Sequence, residues 1–240
     1  MGYSDCVMKT QALLAAAAMV LISQMQFKAA GQASLQCTSP NTAESPLGLF
    51  EVEPDTAGEL TRIRQAPHGA HRPRRHLLVV HWRAGALRFE DKPPYMQGTL
   101  DGLYWTYCGF ISEAGVHLIQ KNDLDGLAGI LVDEKTGAIL PAGFSVSFSP
   151  DSKRYFALID NDGDFEVVKL FDRSGKLLWQ GENGLLSADG QSVIAEYLDL
   201  HWDATGRLLA EYKDDKDREH TLILTRSAHG KWKWTAIPST

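Results

Sequence analysis

Arginine and histidine crowd one stretch of this chain. Between Thr61 and His76 lie Arg62, Arg64, Arg72, Arg74 and Arg75, with His68, His71 and His76 and no acidic residue. Two chemistries fit such a set. Guanidinium groups bind carboxylates and phosphates through planar, bidentate hydrogen bonds. Neutral imidazoles bind zinc or copper, which would suit an envelope hydrolase or another metal-dependent enzyme built on His68, His71, His76 and His81. The arginines would repel a cation, and no cysteine or acid lies between the histidines, so the charge favours the first chemistry. Pro67, Gly69 and Pro73 oppose regular structure here. The segment therefore reads as an exposed basic loop. Arg72, Arg74, Arg75, His68 and His71 are its candidate contacts for an acidic partner, either a protein or an envelope component.

Other reactive-looking sets are weaker. Asp160, Asp162 and Asp164 alternate in the run Asp160-Asn161-Asp162-Gly163-Asp164, as oxygen ligands for calcium would. A helix-flanked calcium loop needs a later glycine and a terminal glutamate, where this chain has Phe165 and Phe171, so an acidic hairpin turn is the reading. Gly143-Phe144-Ser145-Val146-Ser147 begins like a nucleophile elbow but lacks the second glycine and sits in a strand pattern. His117 and His201 also fall in strand-like segments, and no phosphate-cradling loop or zinc-protease motif occurs. Trp179, Trp202, Trp232 and Trp234 could form a binding face, but aromatics at strand spacing more often fill a core. No catalytic residue, metal ligand or cofactor is assigned.

The N-terminus reads as an export signal. Lys9 is followed by 11 uninterrupted apolar residues, Ala12 to Ile22, and Gly31-Gln32-Ala33 fits a small-x-small cleavage site. The run is shorter than the roughly 20 residues needed to span a bilayer. Residues 1–33 are thus a cleaved signal peptide, the mature form has no transmembrane segment, and a periplasmic or secreted location follows. Met8 would itself begin such a signal. Gln36 before Cys37 is not the small residue a lipoprotein signal requires. Cys6 leaves with the signal, so Cys37 and Cys108 remain, and an oxidising compartment predicts that they pair.

The 240 residues are 44% hydrophobic and 22% charged, with a net charge of −6. That is a globular balance, and nucleic acid is not the expected partner. Residues 34–46 are polar and read as an extended lead-in, and 47–240 as one all-β domain of antiparallel meander type. The clearest part is Phe148 to Gly181, where three apolar runs are separated by Asn161-Asp162-Gly163-Asp164 and Asp172-Arg173-Ser174-Gly175. Leu77 to Trp82 is a strong strand, with Ala86 to Glu90 as its hairpin partner and Leu47 to Glu53 as a further strand. No helical period extends over 11 or more residues.

An internal repeat follows. Ile111-Ser112-Glu113 precedes Phe148-Ser149-Pro150 by 37 residues, and Gly137 precedes Gly175 by 38. Leu186-Ser187-Ala188-Asp189 would begin a third, shortened unit ending at Asp203. Similar turns recur at Asp203-Ala204-Thr205-Gly206 and Ser227-Ala228-His229-Gly230. Phe148-Ser149-Pro150-Asp151-Ser152-Lys153-Arg154, leading into an apolar strand, resembles the blade-entry turn of WD-like β-propeller repeats in exported bacterial proteins. Ser152 stands where that turn has glycine. The resemblance covers residues 109–235 in about three units and implies a propeller-like fold, with an open meander or a two-sheet sandwich as alternatives. The function expected is non-catalytic binding of a macromolecular partner in the cell envelope. Such a protein would be a scaffold or assembly factor, or an immunity protein that blocks a toxin enzyme in the periplasm.

Overall fold

A computed structural model of the chain describes residues 33–37, 41–44, 50–53, 56–66, 69–92, 102–123, 126–161, 165–181, 185–186, 192–193, 197–213 and 218–237. Residues 1–32, which hold most of the segment read as a signal, His68 and the acidic turn 162–164 lie outside them.

In chain order the elements begin with β1 (Ser34–Gln36), β2 (Asn41–Glu44), β3 (Phe50–Glu53) and a helix, α1 (Thr56–Arg64). A three-stranded sheet follows, formed by β4 (Ala70–Arg74), β5 (Leu77–Trp82) and β6 (Gly85–Glu90). The first four-stranded meander is β7 (Tyr104–Ile111), β8 (Val116–Asp123), β9 (Gly126–Asp133) and β10 (Ile139–Ala142). The second is β11 (Ser145–Phe148), β12 (Arg154–Asn161), β13 (Phe165–Asp172) and β14 (Leu177–Gly181). A small hairpin, β15 (Leu185–Leu186) and β16 (Ser192–Val193), precedes the third meander, β17 (Tyr197–Trp202), β18 (Leu208–Lys213), β19 (Glu219–Arg226) and β20 (Trp232–Ala236). The fold is all-β, every pairing is antiparallel, and the four larger layers are open sheets. Asp160 and Asn161 pair with Leu127 and Gly126, which joins the first two meanders into one sheet.

Alternation along the strands explains how these layers stack. On β8, Val116 and Leu118 face the second meander, while Ile119 faces the β4–β6 sheet. On β12, Tyr155 and Ala157 face the first meander, and Phe156 and Leu158 face the third. Three apolar cores therefore separate four layers in succession, the β4–β6 sheet and the three meanders. A strand buried on both faces favours apolar residues at every position, as in the run Tyr155–Ile159 of β12, whereas β8 buries His117, Gln120 and Asn122 beside its apolar residues.

The three meanders place their turns alike, but the third begins elsewhere along the chain than the sequence offset suggests. The first–second turns of the three meanders end at Gly115, Ser152 and Gly206, with φ of 61°, 54° and 78°. The third–fourth turns end at Gly137, Gly175 and Gly230, with φ of 72°, 85° and 80°. Asp203 thus opens the third meander and does not close a shortened unit that begins at Leu186. That unit is complete, and the segment holding β15 and β16 is inserted before it. The sequence offset misleads because Asp203 and Asp172 build the same hydrogen-bonded turn at different places in the meander.

The lead-in belongs to the fold. Ser34, Leu35 and Gln36 of β1 pair with Ser147, Val146 and Ser145 of β11. Leu35 lies against Gly109, where an added Cβ would sit 3.0 Å from its Cδ2. Gly109 (φ 143°) marks the bulge in β7 beside Cys108. The expected Cys37–Cys108 disulfide is formed, closing a sequence separation of 71 and fixing β1 to β7.

Candidate functional site

The basic segment is not one exposed loop. Its first part is the end of α1. Glu59 in the first turn and Arg62 and Arg64 in the last suit the helix dipole. Nine residues are too few for the longer helical pattern sought in the sequence, which is why α1 escapes a periodicity reading. Its second part, Ala70–Arg74, is β4, despite Pro73. The register shifts between His71 and Arg74, and β4 is an outer strand of its sheet. An edge bulge leaves an N–H unused, so proline is tolerated there.

Arg72 is turned inward and corrects the expectation of an exposed contact. Its side chain is 13% exposed. Nε lies 2.6 Å from Glu59 Oε2, and Nη1 donates to Asp91 Oδ2 at 2.9 Å. Nη2 donates to Glu59 Oε1 at 3.1 Å and also to the Trp105 carbonyl. Burial works against the charge of Arg72, but the hydrogen bonds and fields of Glu59 and Asp91 outweigh it and raise its pKa.

This buried cluster grips the outer edge of β7. The Trp105 N–H donates to Asp91 Oδ1 at 2.8 Å, and the Tyr107 N–H donates to Glu59 Oε1 at 2.7 Å. Arg62 Nε donates to the Tyr107 carbonyl at 3.0 Å. With Arg72 on the Trp105 carbonyl, four backbone groups of a strand edge are satisfied by charged side chains. The signal that could have found this is the pair Glu59 and Asp91, acids flanking the basic stretch on either side.

The remaining candidates divide. Arg74, Arg75 and His71 are exposed on the β4–β5 hairpin. Among the described residues neither Arg74 nor Arg75 has an ion-pair partner. The His71 ring stacks on His81 of β5, with centroids 5.2 Å apart. An open cleft of about 610 Å³ lies beyond His81, lined by Trp82, Arg83, Glu134 and Lys135. Trp82 lies against Gly137, where a Cβ would fall 2.6 Å from the indole, and the Arg83 N–H donates to the Glu134 carbonyl at 2.8 Å. The sequence reading did not single out this cleft, although His81, Trp82 and the glycine Gly137 each appear in that reading separately.

No protein family, curated protein or solved structure matches this chain.

Other residues weighed in the sequence occupy strands. Ser145 and Ser147 are buried in β11. His117 is fully buried, with Nδ1 2.9 Å from the Tyr107 hydroxyl, and burial pushes the Tyr107 phenol up. His201 Nδ1 lies 2.9 Å from Asp199 Oδ2. Trp202 and Trp234 are buried in the core between the second and third meanders, Trp179 and Trp232 pack against it, and the Trp202 indole N–H donates to the Ser147 carbonyl at 3.1 Å.

Proposed function

We propose that this chain is an exported, non-catalytic β-rich protein that binds an acidic macromolecular partner in the cell envelope through the β4–β5 hairpin. The observation that carries this reading is the division of labour among neighbouring arginines. Arg72 is locked inward by Glu59 and Asp91 and holds the hairpin in place, while Arg74 and Arg75 project from it exposed. A fixed backbone presenting free guanidinium groups lowers the ordering penalty of recognising carboxylates. His71, stacked on His81, extends the surface. The WD-like propeller repeat family is the proposed relation, supported by the three meanders and the matching positive-φ turns. An assembly component of the envelope and a toxin enzyme blocked in the periplasm are both partners of the required chemistry.

The test is capture from an envelope extract with the whole protein as bait. Arg74→Ala with Arg75→Ala should fold as the wild type does and lose most of the captured acidic partner. Capture by the wild type should also fall as salt shortens the Debye length from about 10 Å at 0.1 M to about 3 Å at 1 M. An unchanged partner set with the double variant would overturn the reading. Stoichiometric zinc in native protein, lost on changing His68 and His71, would replace it with the metal-enzyme alternative. Export is tested separately: the intact mass of the exported chain should correspond to a start at or near Ser34.

A further inference from the structure

On the export proposed for this chain, we infer that maturation cuts it after Gly31, two residues upstream of the bond expected from sequence, and that Ala33 stays on the mature protein as part of its fold. Two bonds behind the apolar run satisfy the small-x-small pattern: Ala29-Ala30-Gly31 before Gln32, and Gly31-Gln32-Ala33 before Ser34. No other triplet between Ile22 and Ser34 has small residues at both ends. A signal peptidase reads the chain before it folds, so the pattern alone leaves both bonds open. The first lies nearer the apolar run, and an enzyme working at the membrane surface meets it first.

The folded chain then has a use for what that cut leaves. β1 is flanked on β11 by two backbone hydrogen bonds. At one end the Cys37 N–H donates to the Phe144 carbonyl at 2.8 Å, and at the other the Phe148 N–H donates to the Ala33 carbonyl at 3.0 Å. Ala33 also packs, with Leu35, against the core between the first two meanders. Phe148 is fully buried. A cut after Ala33 would take away the acceptor of its N–H. It would also set the new α-ammonium group of Ser34, a donor, beside that N–H. A buried donor left without an acceptor costs more than the bond contributes when made. With only three paired residues, β1 has few ties to lose. A cut after Gly31 keeps the Ala33 carbonyl within the chain and puts the ammonium group on Gln32, ahead of the paired residues.

The experiment uses the full chain exported under its own signal, with intact mass and N-terminal sequencing of the exported product. The wild type should begin at Gln32, with or without the loss of ammonia that closes an N-terminal glutamine into a lactam. A start at Ser34, or at any other residue, would overturn the assignment. A product still carrying Ala12 to Ile22 would reject export itself, and the cut with it. Ala29→Leu alters only the upstream triplet and is lost with the signal at either bond. It should move the start to Ser34 or stop processing altogether, and a start still at Gln32 would reject the upstream site. The Ser34 product differs from the wild type only in lacking Gln32 and Ala33. In it the Phe148 amide should lose protection from hydrogen exchange while the amides of β12 keep theirs. Equal protection of Phe148 in the two products would overturn the structural role given to Ala33.

Discussion

Arg72 and its neighbours show how far one residue type can diverge within three positions. Arg74 and Arg75 face water, and replacing both with alanine should change stability by no more than about 0.5 kcal/mol. Arg72→Ala would leave Glu59 and Asp91 buried without their cation, and Glu59 is only 2% exposed. Breaking a buried pair this way costs about 3–5 kcal/mol. Urea denaturation of the two variants side by side should show that gap. Ser152 offers the opposite sign. It holds φ at 54° where the other two meanders have glycine. A left-handed non-glycine residue costs about 1–2 kcal/mol. Part of that is offset by the unfolded-state entropy that glycine adds. Ser152→Gly should therefore raise stability by about 0.5 kcal/mol, read as a higher urea midpoint with an unchanged slope.

At the scale of elements, the recurring device is an aspartate that ties a turn to itself. Asp172 Oδ1 accepts from the Ser174 N–H, the Ser174 hydroxyl and the Lys176 N–H at 2.9, 2.6 and 3.1 Å. Asp203 Oδ1 accepts from the Thr205 N–H, the Thr205 hydroxyl and the Arg207 N–H at 2.9, 2.7 and 2.9 Å. Burial alone would raise the Asp203 carboxyl, but these donors and the Arg207 guanidinium draw it down to about 2. A carboxyl depressed in the folded state contributes stability that is full above its unfolded pKa, near 3.9, and lost as pH falls through the folded value. The Asp133 and Asp172 carboxyls are also lowered: burial opposes the shift at Asp133 and is outweighed by Thr136 and Arg173, while the Ser174 hydroxyl leads at Asp172. Stability should accordingly decline between about pH 4 and pH 2. Asp203→Asn should be less stable at pH 7 and show a shallower acid decline, as followed by thermal melts across that window. These turns also join the layers. Arg173 reaches from the second meander to Asp133 Oδ2 at 2.6 Å and the Ala114 carbonyl at 2.9 Å. Arg154 reaches the Gly206 carbonyl of the third meander at 2.7 Å.

Across the whole molecule, stability is distributed over three cores, and the disulfide closes the first two meanders at their N-terminal side. Cys37 follows β1 directly, and the Cys37 N–H donates to the Phe144 carbonyl at 2.8 Å. The bond therefore adds a covalent tie to a short strand that rests on three pairings with β11 and on Leu35 packed against the core. Cross-linking residues 71 apart stabilises by about 4 kcal/mol in the chain-entropy account. Replacing Cys37 and Cys108 together with alanine should lose that amount in chemical denaturation. It should also release the β1 amides to exchange before those of β12.

The sequence by itself determined the parts of this protein that depend on neighbours in the chain. Leu77–Trp82 with its hairpin partner and the Asp–Gly turns are local matters of strand pattern and backbone freedom, and these are legible without coordinates. Reading residues 1–33 as a signal also narrowed the cysteine pairing to Cys37 and Cys108, the bond that forms. What only the tertiary structure decided is which charged residues are spent inside. Arg72, Arg74 and Arg75 differ neither in chemistry nor in local context. Their roles separate because Glu59, Asp91 and the edge of β7 come together from stretches 13, 19 and 33 residues away. A charge is buried only where distant partners repay its desolvation. That balance is a property of the packed layers, and no reading of one segment contains it.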